Sequence, residues 1–329
     1  MNQKVLSSST LSPVESRVAV TLAVVVPCYN EEEVFPETSK RLLALLERLA
    51  LLQRITRDST IYFVDDGSKD RTWSLIEGLA AADPRVHGIK LSRNLGHQQA
   101  LLAGLFSVDG EAVVSVDADL QDDIEAIEKM VDEFKQGSEI VYGVRKSRAV
   151  DTVFKRVTAQ GYYSLLRRLG VDIVPNHADY RLMGRRAIDA LREFSEVNLF
   201  LRGVIPLLGF KTATVYYDRA ERFAGVSKYP LRRMLALALD GITSFSVTPL
   251  RIISALGIVI CLLSAIMIGW VLYGYFVMDT TIPGWASSVL PVYFLGGVQL
   301  LSIGVVGEYI AKIYLETKRR PRFLIERVI

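Results

Sequence analysis

Eight residues, VDADLQDD from Val116 to Asp123, hold four carboxylates. They follow an apolar run, Ala112-Val113-Val114-Ser115-Val116, that reads as a buried strand. Charges at a strand end either face water or hold something positive. Asp117 and Asp119 stand two apart. If that stretch stays extended, both side chains point the same way, because side chains alternate with period two. Gln121 continues the series with a neutral oxygen. Carboxylate and amide oxygens suit a hard divalent cation, Mg2+ or Mn2+, which keeps waters and shares its shell with phosphates. The chain has three His, two Cys (Cys28 and Cys261) and no cluster of either, which argues against zinc. Asp-x-Asp by itself recurs often by chance, so its surroundings decide its weight.

Those surroundings alternate between strand and helix signals from residue 18 to about 145. Val18–Val26, Thr60–Val64, Val86–Leu91, Ala112–Val116 and Ile140–Tyr142 read as strands. Glu31–Leu52, Asp70–Ala82, Gly96–Val108 and Asp123–Gln136 read as helices. Uniformly apolar strands between helices imply an α/β domain with a mostly parallel sheet covered on both faces. Such sheets bind ligands at the carboxyl ends of their strands. The polar clusters stand at those ends: Pro27-Cys28-Tyr29-Asn30-Glu31-Glu32, Asp65-Asp66-Gly67-Ser68, Ser92-Arg93-Asn94 and Asp117-Ala118-Asp119. Simple solvation predicts polar residues at both ends of the strands. Asp66 is placed to reach a ribose or base, with Pro27, Tyr29 and Glu31 in a neighbouring loop. Together they describe a nucleoside-diphosphate pocket with a cation on the diphosphate. No G-x-x-x-x-G-K-S/T loop and no G-x-G-x-x-G occurs, so P-loop and dinucleotide readings lack support. A net charge of +3 gives no sign of nucleic acid as a partner.

The C-terminal third is of another kind. Ile252–Met278 has no charged residue, and neither has Thr280–Gly307. A membrane helix needs about 20 apolar residues, so two spans are expected, over 250–278 and 283–307. Arg232, Arg233 and Arg251 precede the first, and Lys312, Lys318, Arg319, Arg320 and Arg322 follow the second. The connector Asp279–Gly284 has no Lys or Arg. The positive-inside rule then puts both ends in the cytoplasm, giving a multi-pass protein of the cell membrane. The remaining divisions are a mobile tail over 1–17, a cytoplasmic domain over 18–229, a juxtamembrane amphipathic segment over 230–249 and a basic C-terminal segment over 308–329. Gly296-Gly297 and Gly304/Gly307 would allow close helix packing, compatible with a homo-oligomer.

Six motifs in order, VVVPCYNEEE, VDDGSKD, LSRNLGHQQA, VDADLQD, ADYRLM and RFAGVSKYP, resemble the inverting glycosyltransferases of the second sequence family. Within it they are similar to the polyprenyl-phosphate glycosyltransferases, the dolichyl-phosphate mannose synthase-like enzymes and the bacterial branch that glucosylates undecaprenyl phosphate. The resemblance runs from about residue 20 to 250. It implies a GT-A fold, a nucleotide-sugar donor and a divalent metal. It assigns Pro27, Tyr29, Glu31, Val64 and Asp66 to the nucleoside, Asp117, Ala118 and Asp119 to the diphosphate and metal, and Gln121 to the metal. Arg145 matches a basic residue near the phosphates, Arg222 and Lys228 match phosphate-binding positions beside Ser227, and Arg156 resembles an acceptor-phosphate contact. Relatives often read Q-x-P-P-E after the Gln, whereas here Gln121 is followed by Asp122-Asp123-Ile124-Glu125.

The expected reaction moves glucose from UDP-glucose to undecaprenyl phosphate at the cytoplasmic leaflet, with Asp117, Asp119, Arg145 and Lys228 as the principal machinery. A separate flippase and a downstream transferase would act on the product. GDP-mannose or an amino-sugar donor is an alternative within the same class. A non-catalytic nucleotide-sugar-binding membrane protein and an Asp-x-Asp phosphohydrolase are alternatives of other classes. The residues leave the roles of Asp122 and Asp179 open; for Asp179, an acceptor-side role stands beside a structural pair with Arg181 or Arg185.

Overall fold

The structure, a computed structural model, describes residues 19–146, 177–196, 201–218, 248–276 and 284–329. The tail over 1–17 and nearly all of the juxtamembrane segment over 230–249 lie outside the described residues.

Strand β1 (Leu22–Cys28, LAVVVPC) is buried along its whole length, as expected of an apolar, β-branched run covered on both faces. Helix α1 (Phe35–Leu51) has Pro in its first turn and turns Leu42, Leu45, Leu46 and Leu49 to the sheet. That stripe has the i, i+3, i+4, i+7 spacing of an amphipathic helix. The same alternation continues through β2 (Thr60–Asp65), α2 (Thr72–Ala82), β3 (Val86–Leu91), α3 (His97–Ser107), β4 (Ala112–Ser115), α4 (Ala126–Lys135) and β5 (Ile140–Arg145). Then come β6 (His177–Gly184), α5 (Arg185–Arg192), α6 (Leu201–Leu207) and β7 (Thr212–Tyr217). Two long helices, α7 (Thr248–Phe276) and α8 (Trp285–Thr317), and a last strand, β8 (Ile325–Val328), complete the described chain.

The strands form one sheet in the order β7-β5-β6-β4-β1-β2-β3-β8. One apolar cluster fills the face covered by α1, α2 and α4, and a second fills the face covered by α3, α5 and α6. The stretch β3-β2-β1-β4 is parallel, as the sequence predicts. The sheet as a whole is mixed, because β6 runs antiparallel between β4 and β5, and β8 runs antiparallel beside β3. Both added strands lack the continuous apolar run of β1 and β4. β6 (HADYRLMG) carries a buried Asp and a buried Arg, and β8 (IERV) is short and exposed.

The two apolar segments are both helical. α7 occupies nearly the expected range, while α8 runs on past Gly307 to Thr317. Among the described residues, Phe294–Thr317 is long and apolar enough to cross a membrane by length and composition, and Leu250–Ile260 is a shorter apolar stretch. Ile252, Leu256, Leu263, Phe294, Leu300 and Ile303 stand exposed on these helices. After α8 the chain returns to its own sheet. The amide of Ser92 donates to the Leu324 carbonyl, Gly88 and Ile329 exchange backbone hydrogen bonds, and the Arg322 guanidinium donates to the Phe194 carbonyl. The chain that follows α8 thus rejoins the sheet that contains β1.

Helix α3 lies unusually close to the strands that carry the site. A Cβ on Gly104 would stand 2.3 Å from Val25 Cγ1 and 3.0 Å from Val64 Cγ2. Gly104→Val should therefore overpack this contact and cost about 1–3 kcal/mol. The measurement is the urea midpoint of the detergent-solubilised full chain, and an unchanged midpoint would refute the close packing.

Candidate active site

The loops after β1 and β2 start side by side, because Cys28 pairs with Asp65 in the parallel register. They are laced together by side chains. Asn30 N–H donates to Ser68 Oγ (3.0 Å), Lys69 N–H to Asn30 Oδ1 (2.8 Å), Glu31 N–H to Thr72 Oγ1 (2.9 Å) and Glu32 N–H to Asp70 Oδ2 (3.2 Å). Asn30 sits at φ 55°, a left-handed conformation that Asn tolerates well. Gly67, at φ 67°, lets the second loop touch the third, since a Cβ there would meet the Arg93 backbone at 2.7 Å.

Asp66 joins those loops more firmly. Its Oδ1 accepts from Leu95 N–H (2.7 Å) and its Oδ2 from Gly96 N–H (2.9 Å). Burial raises its pKa, and the two amides pull the other way. The carboxylate expected at a ribose or base thus also fixes the loop that opens α3. Tyr29 presents an exposed ring at the same edge, whereas Pro27 and Val64 are buried. Val64 packs its side chain in the α3-side core, so its backbone is what it can offer a nucleoside. Glu31 is half-buried at the head of the loop.

The acidic stretch does not stay extended. β4 ends at Ser115, a turn begins at Ala118, and Leu120 takes φ 55°. The period-two argument for aligning Asp117, Asp119 and Gln121 therefore fails, because a left-handed residue reverses the local direction. A turn gathers them instead. Thr38 Oγ1 donates to the Ala118 carbonyl (2.7 Å), which ties the turn to α1, and Gln121 N–H donates to Asp119 Oδ1 (3.2 Å). Gln121 is 6% exposed. Asp117 keeps 35% of its side chain exposed and faces His97 Nε2 at 3.4 Å. Burial of its surroundings pushes Asp117 up to about 6; His97 opposes this, and Asp122, Asp179 and Asp119 add to it.

This crowding of negative charge fits a hard cation. Among the described residues no three His, Cys, Asp or Glu side chains converge as a complete cage. Asp117, Asp119 and the Gln121 amide could hold an ion that completes its shell with phosphate oxygens and water.

Two further carboxylates lie behind this turn, and both have guanidinium partners. Asp179, on β6, is 8% exposed. Its Oδ1 accepts from Arg181 Nη2 (2.5 Å) and its Oδ2 from Arg202 Nη2 (3.2 Å), with His97 Nε2 at 3.6 Å from Oδ2. Burial disfavours its charge, but Arg202, Arg181 and His97 outweigh that and hold it well below the usual carboxylate range. Arg185, the other expected partner, donates to the Gly110 and Val108 carbonyls instead. Asp122 meets Arg145 (Nη2 at 3.0 Å) and the hydroxyl of Tyr217 (2.5 Å). Its negative charge raises the Arg145 pKa, against the opposing effect of burial.

The structure thus brings Asp117, Ala118, Asp119, Gln121 and Arg145 to one region, with Asp122, Asp179 and His97 among them. Arg202 and Tyr217 are additions that sequence reading missed, since each lies on an element with no motif of its own. Arg156, Arg222, Ser227 and Lys228 lie outside the described residues.

The family model for glycosyl transferase family 2 matches residues 23–192. This chain belongs to that family. A relative named uncharacterized glycosyltransferase YkoT, from Bacillus subtilis strain 168, is 51% identical over 93% of this chain and 91% of its own length. A bactoprenol glucosyl transferase of Shigella phage SfX is 40% identical over 93% of this chain and 98% of its own. Among solved structures, a mannosyltransferase from Pyrobaculum calidifontis in complex with GDP-Man and Mn2+ is 16% identical, with a TM-score of 0.46 over 92% of this chain and 86% of that one. The mixed α/β sheet is of the GT-A kind, and this glycosyltransferase places its acidic turn after β4.

Removing the Asp179 carboxylate should be costly to the fold. Arg181 is 1% exposed, and its charge would be left buried without its carboxylate. Asp179→Ala should lose about 3–5 kcal/mol in a denaturant titration, and Asp179→Asn should lose less. Equal stability of Asp179→Ala and the parent would contradict the pairing.

Proposed function

We propose that this chain transfers glucose from UDP-glucose to a polyprenyl phosphate, undecaprenyl phosphate in a bacterial cell, at the cytoplasmic face of the membrane. The observation that carries the reading is the end-to-end likeness, 40% identity over 93% of the chain, to a protein named for glucosyl transfer to bactoprenol. The likeness extends over α7 and α8 as well as the sheet domain, so the lipid acceptor and the apolar helices belong to one reading. Both helices cross the membrane in it, and the basic flanks keep the sheet in the cytoplasm. A separate flippase and a downstream transferase handle the lipid-linked sugar afterwards.

In the reaction, an oxygen of the lipid phosphate forms a bond to the anomeric carbon of the donor sugar. The bond from that carbon to the diphosphate breaks, and configuration inverts. A phosphate monoester has a second pKa of about 6, so its attacking oxygen is already largely ionised near neutrality. A strong general base is unnecessary. Asp179, held well below the usual carboxylate range by its cationic neighbours, has little affinity for a proton. The protein's contribution is then position and charge. Loops 29–33 and 66–72 hold the nucleoside, the turn at Asp117–Gln121 faces the diphosphate, and Arg145, Arg156, Arg222 and Lys228 with Ser227 offset repulsion between two anions. Mg2+ or Mn2+, when bound by Asp117, Asp119 and Gln121, would stabilise charge on the leaving diphosphate.

Purified protein given radiolabelled UDP-glucose and undecaprenyl phosphate should form a lipid-soluble glucosyl product, and chelation should stop it. Product from GDP-mannose alone would overturn the donor assignment; binding of UDP-glucose without product would favour the non-catalytic reading. Lys228→Ala and Asp119→Ala should each lower turnover by at least about a hundredfold.

The cation itself has a pH signature. A proton on Asp117 competes with it, so binding should be full above about 6 and fade as pH falls through that value. Added Mn2+ should raise the melting temperature more at pH 7.5 than at pH 5, by mass action on the folded state (~2.7 kcal/mol at a hundredfold excess over Kd). A shift independent of pH would place the ion elsewhere.

A further inference from the structure

Asp122 has no part in the reaction as derived above, yet its placement is unusual. Its side chain is 1% exposed, one residue beyond Gln121. Oδ1 receives three donors: Arg145 Nη2 at 3.0 Å, Arg145 Nε at 3.3 Å and the Tyr217 hydroxyl at 2.5 Å. Oδ2 is buried with no hydrogen-bond partner among the described residues. A buried charged oxygen left unsatisfied is expensive, and a buried ion pair is a poor source of stability compared with apolar packing. The arrangement therefore calls for an explanation other than stability.

What it does achieve is to hold one guanidinium. Arg145 is the last residue of β5 and Tyr217 the last of β7, and the two are register partners on adjacent parallel strands. The Tyr217 hydroxyl accepts from Arg145 Nε (3.3 Å) while donating to Asp122. Tyr180 braces the same corner: its ring meets that of Tyr217 edge-on at 5.3 Å, and its hydroxyl donates to the Asp123 carbonyl (2.9 Å). The Nε/Nη2 edge of Arg145 is thus engaged. Nη1 has no partner among the described residues, and 26% of the side chain remains exposed. A guanidinium is a planar fork, so fixing one edge fixes the direction of the other.

We propose that Asp122 and Tyr217 are positioning residues that aim the free edge of Arg145 at the acceptor phosphate. The inference rests on the transferase reading and deepens it. It also gives a use to the acidic residue that follows Gln121. Asp122 constrains the Arg145 guanidinium and acts through it; loss of the clamp leaves the charge of Arg145 in place and its direction unset.

The test uses the full chain in nanodiscs, with UDP-glucose and undecaprenyl phosphate varied separately. Asp122→Asn should lower kcat/KM for the lipid about ten- to a hundredfold, the scale of a misplaced anion clamp, with the KM for UDP-glucose unchanged. Tyr217→Phe should move the same parameter by less, and it keeps the test available should Asp122→Asn fail to fold. In an Arg145→Gln background, both changes should have no further effect on the lipid parameter, because they act through Arg145. Multiplicative effects in that background, or a loss shared equally by donor and lipid, would overturn the positioning role. A parent protein that transfers no sugar to polyprenyl phosphate would remove the transferase reading and this inference with it. An active parent with unaffected variants removes this inference alone.

Discussion

Mutual repulsion among carboxylates governs the architecture of this site. Asp117, Asp122 and Asp179 approach closely enough that the latter two raise the proton affinity of the first. In a medium of low polarity such a group persists only when cations answer it. The fold answers two of the three from within. Arg181 and Arg202 answer Asp179, and Arg145 answers Asp122. Asp117, the most open of them, has His97 for a neighbour and keeps a raised affinity for positive charge. The strands are arranged so that these answers come from different places: β6 brings Arg181, α6 brings Arg202, and β5 brings Arg145. A mixed sheet, with β6 inserted antiparallel between β4 and β5, is what allows an aspartate and its arginine on one strand to stand behind the acidic turn of another.

Much of this was legible in the sequence because the parallel half of the sheet obeys simple rules. Apolar β-branched runs gave β1 to β5 within a few residues, and leucine spacing gave α1. The polar clusters were correctly expected at one edge, since the carboxyl ends of parallel strands share a side. What the sequence hid has two physical causes. The strands β6 and β8 are held by partners distant in sequence, so their own composition carries little signal; β6 even buries an arginine. The acidic turn was misread as extended because nothing in Asp117-Ala118-Asp119-Leu120 announces a left-handed leucine. The turn is tied to α1 by the Thr38 hydroxyl, which donates to the Ala118 carbonyl from 80 residues away in sequence.

Residue roles were legible to a lesser degree than positions. Asp66 was expected at the edge of a nucleotide pocket, and its two backbone acceptor bonds make it a fastener for the loop leading to His97. His97 stands between Asp117 and Asp179. Such relations depend on which loops touch, and glycine at 67 is the local reason that these do. Asp122 illustrates the same point from the other side. A residue that departs in context from its relatives' motif has its partners on β5 and β7.

The last five residues of the chain close the edge of the sheet beside β3. Because β8 follows both long helices in the chain, that edge stays bare during synthesis until α7 and α8 have been made. Completion of the sheet is thereby coupled to synthesis of the helical segment between β7 and β8. A chain cut short anywhere after α8 would expose an unpaired strand border, which is a known route to aggregation. Pairing of β3 with β8 thus ties closure of the sheet to the presence of the helical segment that precedes it.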